Sequence, residues 1–414
     1  MLGPYALAPF RIRNFRFQWP ADLLTACAFE METLILGWYV LVETDSVLLL
    51  TLFGALQYAG TLFAPIYGVV GDRMGNRNLL CGMRAVYAGL AATLMTIAFL
   101  GVLSPLLVFV AAALIGVVRP SDLGVRTALI AETMPAEPML AAMGISRTTV
   151  DAARIAGALT GAALFAAFGM GYAYVVVTSF YVLGLILTFR VAGAPQRASA
   201  PGPGHPHPSP WRDLREGLAY VWASPRLLAV VSLAVLVNLT AYPLSNGLLP
   251  YVAREVYGID QTGLGYLVAG FASGALVGAV VVSVRGSSLP ARTMIVGTLV
   301  WYALLLLFAQ MHEPRAGFVA LVLAGFAQSF CMVTLTVLLV RSSTERLRSR
   351  VIGVRMLAIY SLPFGLLAAG VLIDHIGFSA TASLYAIVGL VFTLMIAVRW
   401  RADLWHAETP AHAQ

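Results

Sequence analysis

The chain has 414 residues, of which 60% are hydrophobic and only 11% charged. A water-exposed domain needs about 25% charged residues to coat its surface, so a soluble single-core protein is excluded. The net charge of +7 comes from 26 arginines spread along the chain with no lysine, not from one basic patch, which excludes a nucleic-acid partner.

The N-terminal arm carries Arg11, Arg13 and Arg16 and runs into an apolar segment without a small-residue cleavage site, so no removable signal peptide is expected. Apolar runs bounded by Gly, Pro or charge then follow at about 18–42, 48–70, 79–100, 104–128, 140–168 and 171–191. After a polar stretch they resume at about 225–250, 262–284, 291–310, 316–340, 351–373 and 377–399. Many reach the 18 or more residues that a bilayer core demands of a helix. Connections such as Ser104-Pro105 and Gly169-Met170-Gly171 are too short for anything but antiparallel hairpins. The predicted fold is all-α: a polytopic membrane protein of twelve transmembrane helices in two pseudo-symmetric six-helix bundles.

Between the bundles, residues 198–210 (ASAPGPGHPHPSP) cannot form helix and read as a flexible linker, with His205 and His207 as solvated linker residues. Residues 211–223 read as an interfacial helix anchored by Trp211 and Trp222, with Arg212, Asp213, Arg215 and Glu216 facing water. The expected organisation is therefore a bundle at 1–191, linker and interfacial helix at 192–224, a second bundle at 225–399 and a tail at 400–414.

Arginine placement orients the spans. Arg11, Arg13, Arg16, Arg73, Arg77, Arg190, Arg197, Arg212, Arg215, Arg226, Arg285, Arg292, Arg341, Arg346, Arg348, Arg350, Arg399 and Arg401 fall on the side of the N-terminus, against Arg254 and Arg315 on the other. Basic residues are retained in the cytoplasm, so both termini and the central loop are expected there, with the chain in a bacterial inner membrane. The stretch Gly144–Gly169 also parallels Gly353–Gly377, with Gly161 and Gly370 in matching places. Such internal symmetry is what alternating-access carriers show.

Residues 68–77 (GVVGDRMGNR) join the second and third spans. Gly68 permits close helix packing, Gly75 a tight turn, and Asp72 a pairing with a basic neighbour or a helix N-terminus. The segment resembles the signature loop of the major facilitator superfamily, G-x-x-x-D-R-x-G-R-R, with Asn76 in place of one basic residue. The resemblance covers essentially the whole chain. It implies a gate in which Asp72 meets the start of the span at Val351 and Arg73 pairs with Asp122, with Arg77 completing the motif. Arg119, Asp122 and Arg126 form one stripe at i, i+3 and i+7, which reads either as part of that gate or as a snorkelling interfacial face. The opening NFRFQWPADLLTACAFEMETLILGWYVLVETDS, with VVGDRMGNR and GVVRPSDLGVRTALIAETMP, resembles the efflux branch that contains the enterobactin exporter. On the fifth span, Arg154-Ile-Ala-Gly157-Ala-Leu-Thr-Gly161 resembles the G-P-x-x-G pattern of proton-coupled antiporters, with Ala158 where the proline stands. Gly157 and Gly161 read equally well as a small-residue packing face.

Ionisable groups inside the membrane cost about 2.5–3.5 kcal/mol each on insertion scales and are functional candidates by default. Glu30 and Glu32 sit near the middle of the first span, about 200° apart around a helix, so one can face a cavity while the other needs a partner on a neighbouring helix. A desolvated carboxyl can exchange a proton during transport, a role expected of Glu30 first and Glu32 second. Asp151 and Arg154, at i and i+3, can pair with each other and read equally well as a structural pair or as candidates for a substrate or proton role. Arg84 and Arg147 are expected to snorkel to the cytoplasmic edge, and Arg355 to face a cavity or that edge. Asn238, Tyr242, Pro243 and Asn246 form a polar, proline-broken stretch suited to a substrate cavity or to packing hydrogen bonds, with Gln328 a weaker candidate of the same kind.

The resulting expectation is a secondary active transporter that moves a small molecule by alternating access, by proton-coupled efflux of a siderophore or a drug-like compound. The alternatives are an uptake permease of the same fold or a non-transporting membrane sensor or scaffold. An enzyme is not expected, because the six histidines read as loop or tail residues, none of them in a cluster of carboxylates with metal or nucleophile spacing, and no phosphate-binding loop occurs. Cys27, Cys81 and Cys331 lack metal spacing. No cofactor or metal is expected, and the partners are the lipid bilayer, protons and the transported molecule, with the chain acting as a monomer.

Overall fold

A computed structural model describes residues 7–63, 67, 70–71, 73–193, 210–285, 289–344 and 347–405. Apart from turns and connections, the described chain is helical. The first helix, α1 (Arg13–Thr44), absorbs Pro20 in its interior and ends at Asp45. It is followed by α2 (Val47–Leu56), capped by the Ser46 hydroxyl, and by a 3-10 turn at Ala59–Phe63. Next come α3 (Asn76–Phe99), α4 (Pro105–Thr133) and α5 (Ala136–Phe189). At 54 residues, α5 would run about 80 Å, more than twice the hydrocarbon thickness. Gly169 breaks it at φ 77° and ψ −178°, and the two arms are two membrane passes. The break falls at the predicted Gly169-Met170-Gly171 hairpin.

Helix α6 (Pro210–Ala223) follows, then α7 (Pro225–Leu236). Beyond α7 the same span continues through π-helical turns at Val237–Ala241, Pro243–Gly247 and Val252–Val256. The remainder is α8 (Gln261–Arg285), α9 (Pro290–Phe308), α10 (Pro314–Arg341), α11 (Arg348–Ala358), α12 (Ser361–Ile376) and α13 (Phe378–Arg399). Ten described helices are long and apolar enough to cross a membrane, with Val47–Thr61 a shorter apolar helix. Counting the arms of α5 separately, and Val47–Thr61 as the described part of the second span, gives the twelve passes of the prediction. Large apolar side chains stand exposed along them, among them Leu106, Phe168 and Val284, as lipid-facing surfaces require.

The chain divides into two compact units, Met1–His205 with Leu249–Ala272, and Pro206–Leu248 with Ser273–Gln414. One division falls between His205 and Pro206, within the stretch read as the linker, and a second crosses the span Pro225–Val256 between Leu248 and Leu249. In the first unit the core gathers Phe29, Tyr87 and Tyr181 in edge-on and tilted contacts of 4.8–5.7 Å.

The small residues of α5 bring it against α1. A Cβ on Gly157 would lie 2.7 Å from the Cys27 carbonyl oxygen, and one on Gly161 2.9 Å from the Met31 Cα. These are backbone contacts that cannot rotate away, so the glycine motif serves close helix packing. Gly161→Val is expected to lower stability by about 1–3 kcal/mol through overpacking, read as a lower thermal midpoint of the purified protein.

Candidate functional site

Charges concentrate in the interior of the first unit. Asp22 on α1 is buried and pairs with Arg84 on α3, while Asp122 pairs with Arg126 one turn along α4. Arg126 Nε also lies 3.6 Å from Asp22, which links the two pairs. Arg84 further donates to the Gly184 carbonyl at 3.3 Å and to the Thr188 hydroxyl, both on the second arm of α5. Gln18 donates to the Arg126 carbonyl at 3.1 Å. The four charged groups balance, as buried charges must. Among the described residues, the buried Arg84 Nε, Arg126 Nη2 and Asp122 Oδ1 have no hydrogen-bond partner, so the cluster holds unused capacity for other pairings.

Two expectations change here. Arg84 is fully buried, not snorkelling, because its face of α3 meets Asp22 and Thr188 instead of the bilayer edge. The stripe on α4 faces inward: Asp122 and Arg126 are buried, and the partner of Asp122 is Arg126, in place of the expected Arg73, whose side chain is exposed. A pairing within one helix is cheaper to form because the i,i+4 spacing already brings the groups together.

Glu32 lies about three helical turns further along α1, only 4% exposed. Its Oε2 accepts from the Tyr181 hydroxyl at 2.7 Å and its Oε1 from Tyr174 at 3.4 Å. Among the described residues, no arginine comes within 4.0 Å of it. Arg119 instead donates to the Thr33 hydroxyl at 2.9 Å and to Gln57, with its guanidinium 4.7 Å from the Phe29 ring centroid. The sequence reading placed Arg119 only in the stripe and did not anticipate this seat of neutral partners.

Glu30 points the other way around α1, toward the first arm of α5, with Arg154 at 3.7 Å. Asp151 pairs with Arg147 at 3.5 Å. The Asp151–Arg154 pairing that the spacing allows gives way to these two because Arg154 can reach a carboxylate on a neighbouring helix, while i,i+4 geometry hands Asp151 to Arg147. The Arg147 side chain is 70% exposed, in keeping with its predicted place at an edge.

In the loop between the second and third spans, Gly68 and Asp72 lie outside the described residues. Gly75 has φ 83° and begins α3, a left-handed conformation that favours glycine. Asn76, the departure from the motif, donates to Glu132 at the end of α4 at 2.5 Å. Arg77 donates to the Phe189 carbonyl at the end of α5 at 2.8 Å. The start of α3 is thereby fastened to the ends of α4 and α5.

In the second unit, Tyr242 accepts a hydrogen bond from Gln328 Nε2 at 2.7 Å and packs edge-on against Trp301 at 5.4 Å. Asn238 turns back to its own helix, donating to the Ala234 carbonyl at 2.8 Å. Pro243 is buried, Asn246 and the Arg355 side chain are half-buried, and Val351 is buried. Glu216 on α6 pairs with Arg350 on α11, and Trp222 is 73% exposed, so α6 is held by α11 while Trp222 projects outward. The side chains of Trp211, Arg212 and Asp213, and residues His205 and His207, lie outside the described residues. All three cysteines are free and buried.

Paired apolar helices with balanced charges inside fit a membrane transporter of the major facilitator type, and the family model below shows that class. The chain belongs to the transmembrane secretion effector family of that superfamily, whose model matches residues 5–412. It is 20% identical to macrolide efflux protein A of Streptococcus pyogenes over 370 residues, 86% of this chain and 87% of that protein. A bacterial homologue of the human lysosomal transporter Spinster, solved inward-facing and unoccupied, superposes with a TM-score of 0.69 at 17% identity, covering 99% of this chain and 100% of the other. A POT family transporter in complex with a thioalcohol-conjugated peptide gives a TM-score of 0.73 at 14% identity, covering 95% and 97%. At these identities the two structures establish a shared fold.

Proposed function

We propose that this transporter exports a small drug-like or siderophore-like molecule across the bacterial inner membrane by alternating access, in exchange for protons, as a monomer with both termini in the cytoplasm. The export direction is supported by the family's description as a secretion effector and by the macrolide efflux relative. The orientation is supported by the arginine distribution.

The observation that carries proton coupling is the environment of Glu32. The other acids placed inside the first unit, Asp22, Glu30, Asp122 and Asp151, each lie within 4.0 Å of an arginine, and protonating any of them forfeits an ion pair. Glu32 has tyrosine hydroxyls as partners. A hydroxyl both donates and accepts, so Tyr181 can serve an ionised carboxylate as donor and a protonated one as acceptor. Glu32 can therefore change state without leaving a buried group unmatched. Glu30, beside Arg154, is the second candidate.

The test is accumulation in cells. Bacteria producing the protein are expected to hold less of a macrolide or a catecholate siderophore than cells without it, and a protonophore should erase the difference. Higher accumulation on production of the protein would reverse the direction and favour uptake. Within the loop motif, Asp72→Asn is expected to yield folded protein with slow transport. A native rate in that variant would remove the gate assignment.

A further inference from the structure

The transport reading leaves a cavity of about 470 Å³ without a role. It lies at the end of the first unit opposite the arginine-rich loops. The last turns of α1, the α3–α4 connection and the stretch of α5 around its break enclose it. Small-molecule sites commonly have volumes of about 300–1,000 Å³. Its walls are aromatic, with Trp38 and Tyr39 from α1, Phe165 from α5 and the Met170 thioether beside them. The Tyr39 hydroxyl donates to the Leu103 carbonyl at 3.0 Å. That bond ties the α3–α4 connection to α1 and leaves the phenolic oxygen only lone pairs to offer. Gly101 turns the same connection at φ 69°. Phe99 meets Tyr172 edge-on at 5.3 Å, joining the end of α3 to the second arm of α5. The walls are thus fixed to one another before any ligand arrives.

The charge in this cavity has one sign. Glu43 lines it and is exposed. Among the described residues, no basic side chain lines the cavity or comes within 4.0 Å of that carboxylate. Arg254, which reaches the end of α1, is engaged by Asp45 at 2.6 Å and Glu255 at 3.4 Å. The C-terminal end of α1 adds the negative end of a helix dipole. An anion would meet a carboxylate and the negative faces of the rings. A cation is attracted by both, since ring faces draw cations within about 6 Å of their centroids.

We infer that this cavity is a binding site for a water-borne organic ammonium, with Trp38, Tyr39 and Phe165 around the alkylated nitrogen and Glu43 as its counter-charge. It is separate from the proton site, because Glu43 lies eleven residues beyond Glu32, about 16 Å along the helix. Its opening toward the outer side rests on the orientation proposed above, while binding itself needs no transport.

The experiment is equilibrium dialysis of radiolabelled benzyltrimethylammonium against the purified protein in a maltoside detergent, with binding counted as the part that choline displaces. Choline is expected to displace the probe at about one tenth the concentration that its uncharged counterpart 3,3-dimethylbutanol needs. Glu43→Gln should raise the dissociation constant about fivefold and Phe165→Leu about threefold. Glu32→Gln should leave it unchanged. Absent displaceable binding, equal displacement by the alcohol, or native affinity in Glu43→Gln would overturn the site. Loss of binding in Glu32→Gln would put the probe in the transport path and overturn a separate site. Displacement by phosphatidylethanolamine with choline inert would make the occupant a lipid headgroup and overturn the water-borne ligand. Binding as expected in a protein that transports nothing would leave the site standing and remove the transport reading alone.

Discussion

Glu32→Gln is expected to abolish transport driven by a pH gradient while leaving the protein folded and able to exchange substrate across a membrane without a gradient. Glutamine keeps the shape of the protonated acid and still offers an oxygen to the Tyr181 hydroxyl, which stands 2.7 Å from Glu32 Oε2. What it removes is the exchangeable proton. If Glu32 were merely a structural acceptor, the amide would lower stability and slow both modes of transport together. The split between gradient-driven transport, lost, and exchange, retained, separates the two roles. Glu30→Gln serves as the comparison: it removes the ion pair with Arg154, now 3.7 Å away, and is expected to impair both modes without separating them.

Arg84→Met should be among the most damaging substitutions in the molecule, although nothing in its position along the chain advertises it. The side chain is wholly buried, and its removal leaves Asp22 with only the 3.6 Å contact to Arg126. Breaking a buried ion pair from one side costs about 3–5 kcal/mol because a charge is left without its counterpart. The double variant Asp22→Asn with Arg84→Met removes both charges and leaves Asp122 and Arg126 balanced, so it is expected to recover a large part of that loss. Thermal unfolding of the detergent-solubilised protein measures both. A single variant as stable as the native protein would mean that the cluster carries no structural weight.

The contrast between these two residues indicates what the sequence could convey. Hydropathy and length located the spans, the glycines at 169 and 171 located the break in α5, and the loop at 68–77 named the superfamily, because each of these signals is local along the chain. The rotation of one helix against another is not local. Arg84 lies early in α3 (Asn76–Phe99), where distance along the axis alone points to the membrane edge. Its actual direction depends on the face α3 turns to α1 and α5. Similarly, Asp151 and Arg154 look like partners by spacing, yet Glu30 competes from another helix and wins Arg154. The choice between Glu30 and Glu32 also turned on neighbours, Tyr174 and Tyr181, that lie more than 140 residues away in sequence. The π-helical turns left only Pro243 and Pro250 as traces, and nothing in the composition of the span announces the register they impose.

Substrate and protons are expected to move in opposite directions through this chain, and one recording tests that exchange directly. Purified protein is reconstituted in vesicles carrying a pH-sensitive dye, and the exported compound is added outside with no imposed gradient. Inward movement of the compound is expected to drive protons out, so the lumen of native vesicles turns alkaline, while vesicles with Glu32→Gln take up the compound with a flat trace. Uptake by the native protein with no change in lumenal pH, or with acidification, would contradict proton exchange.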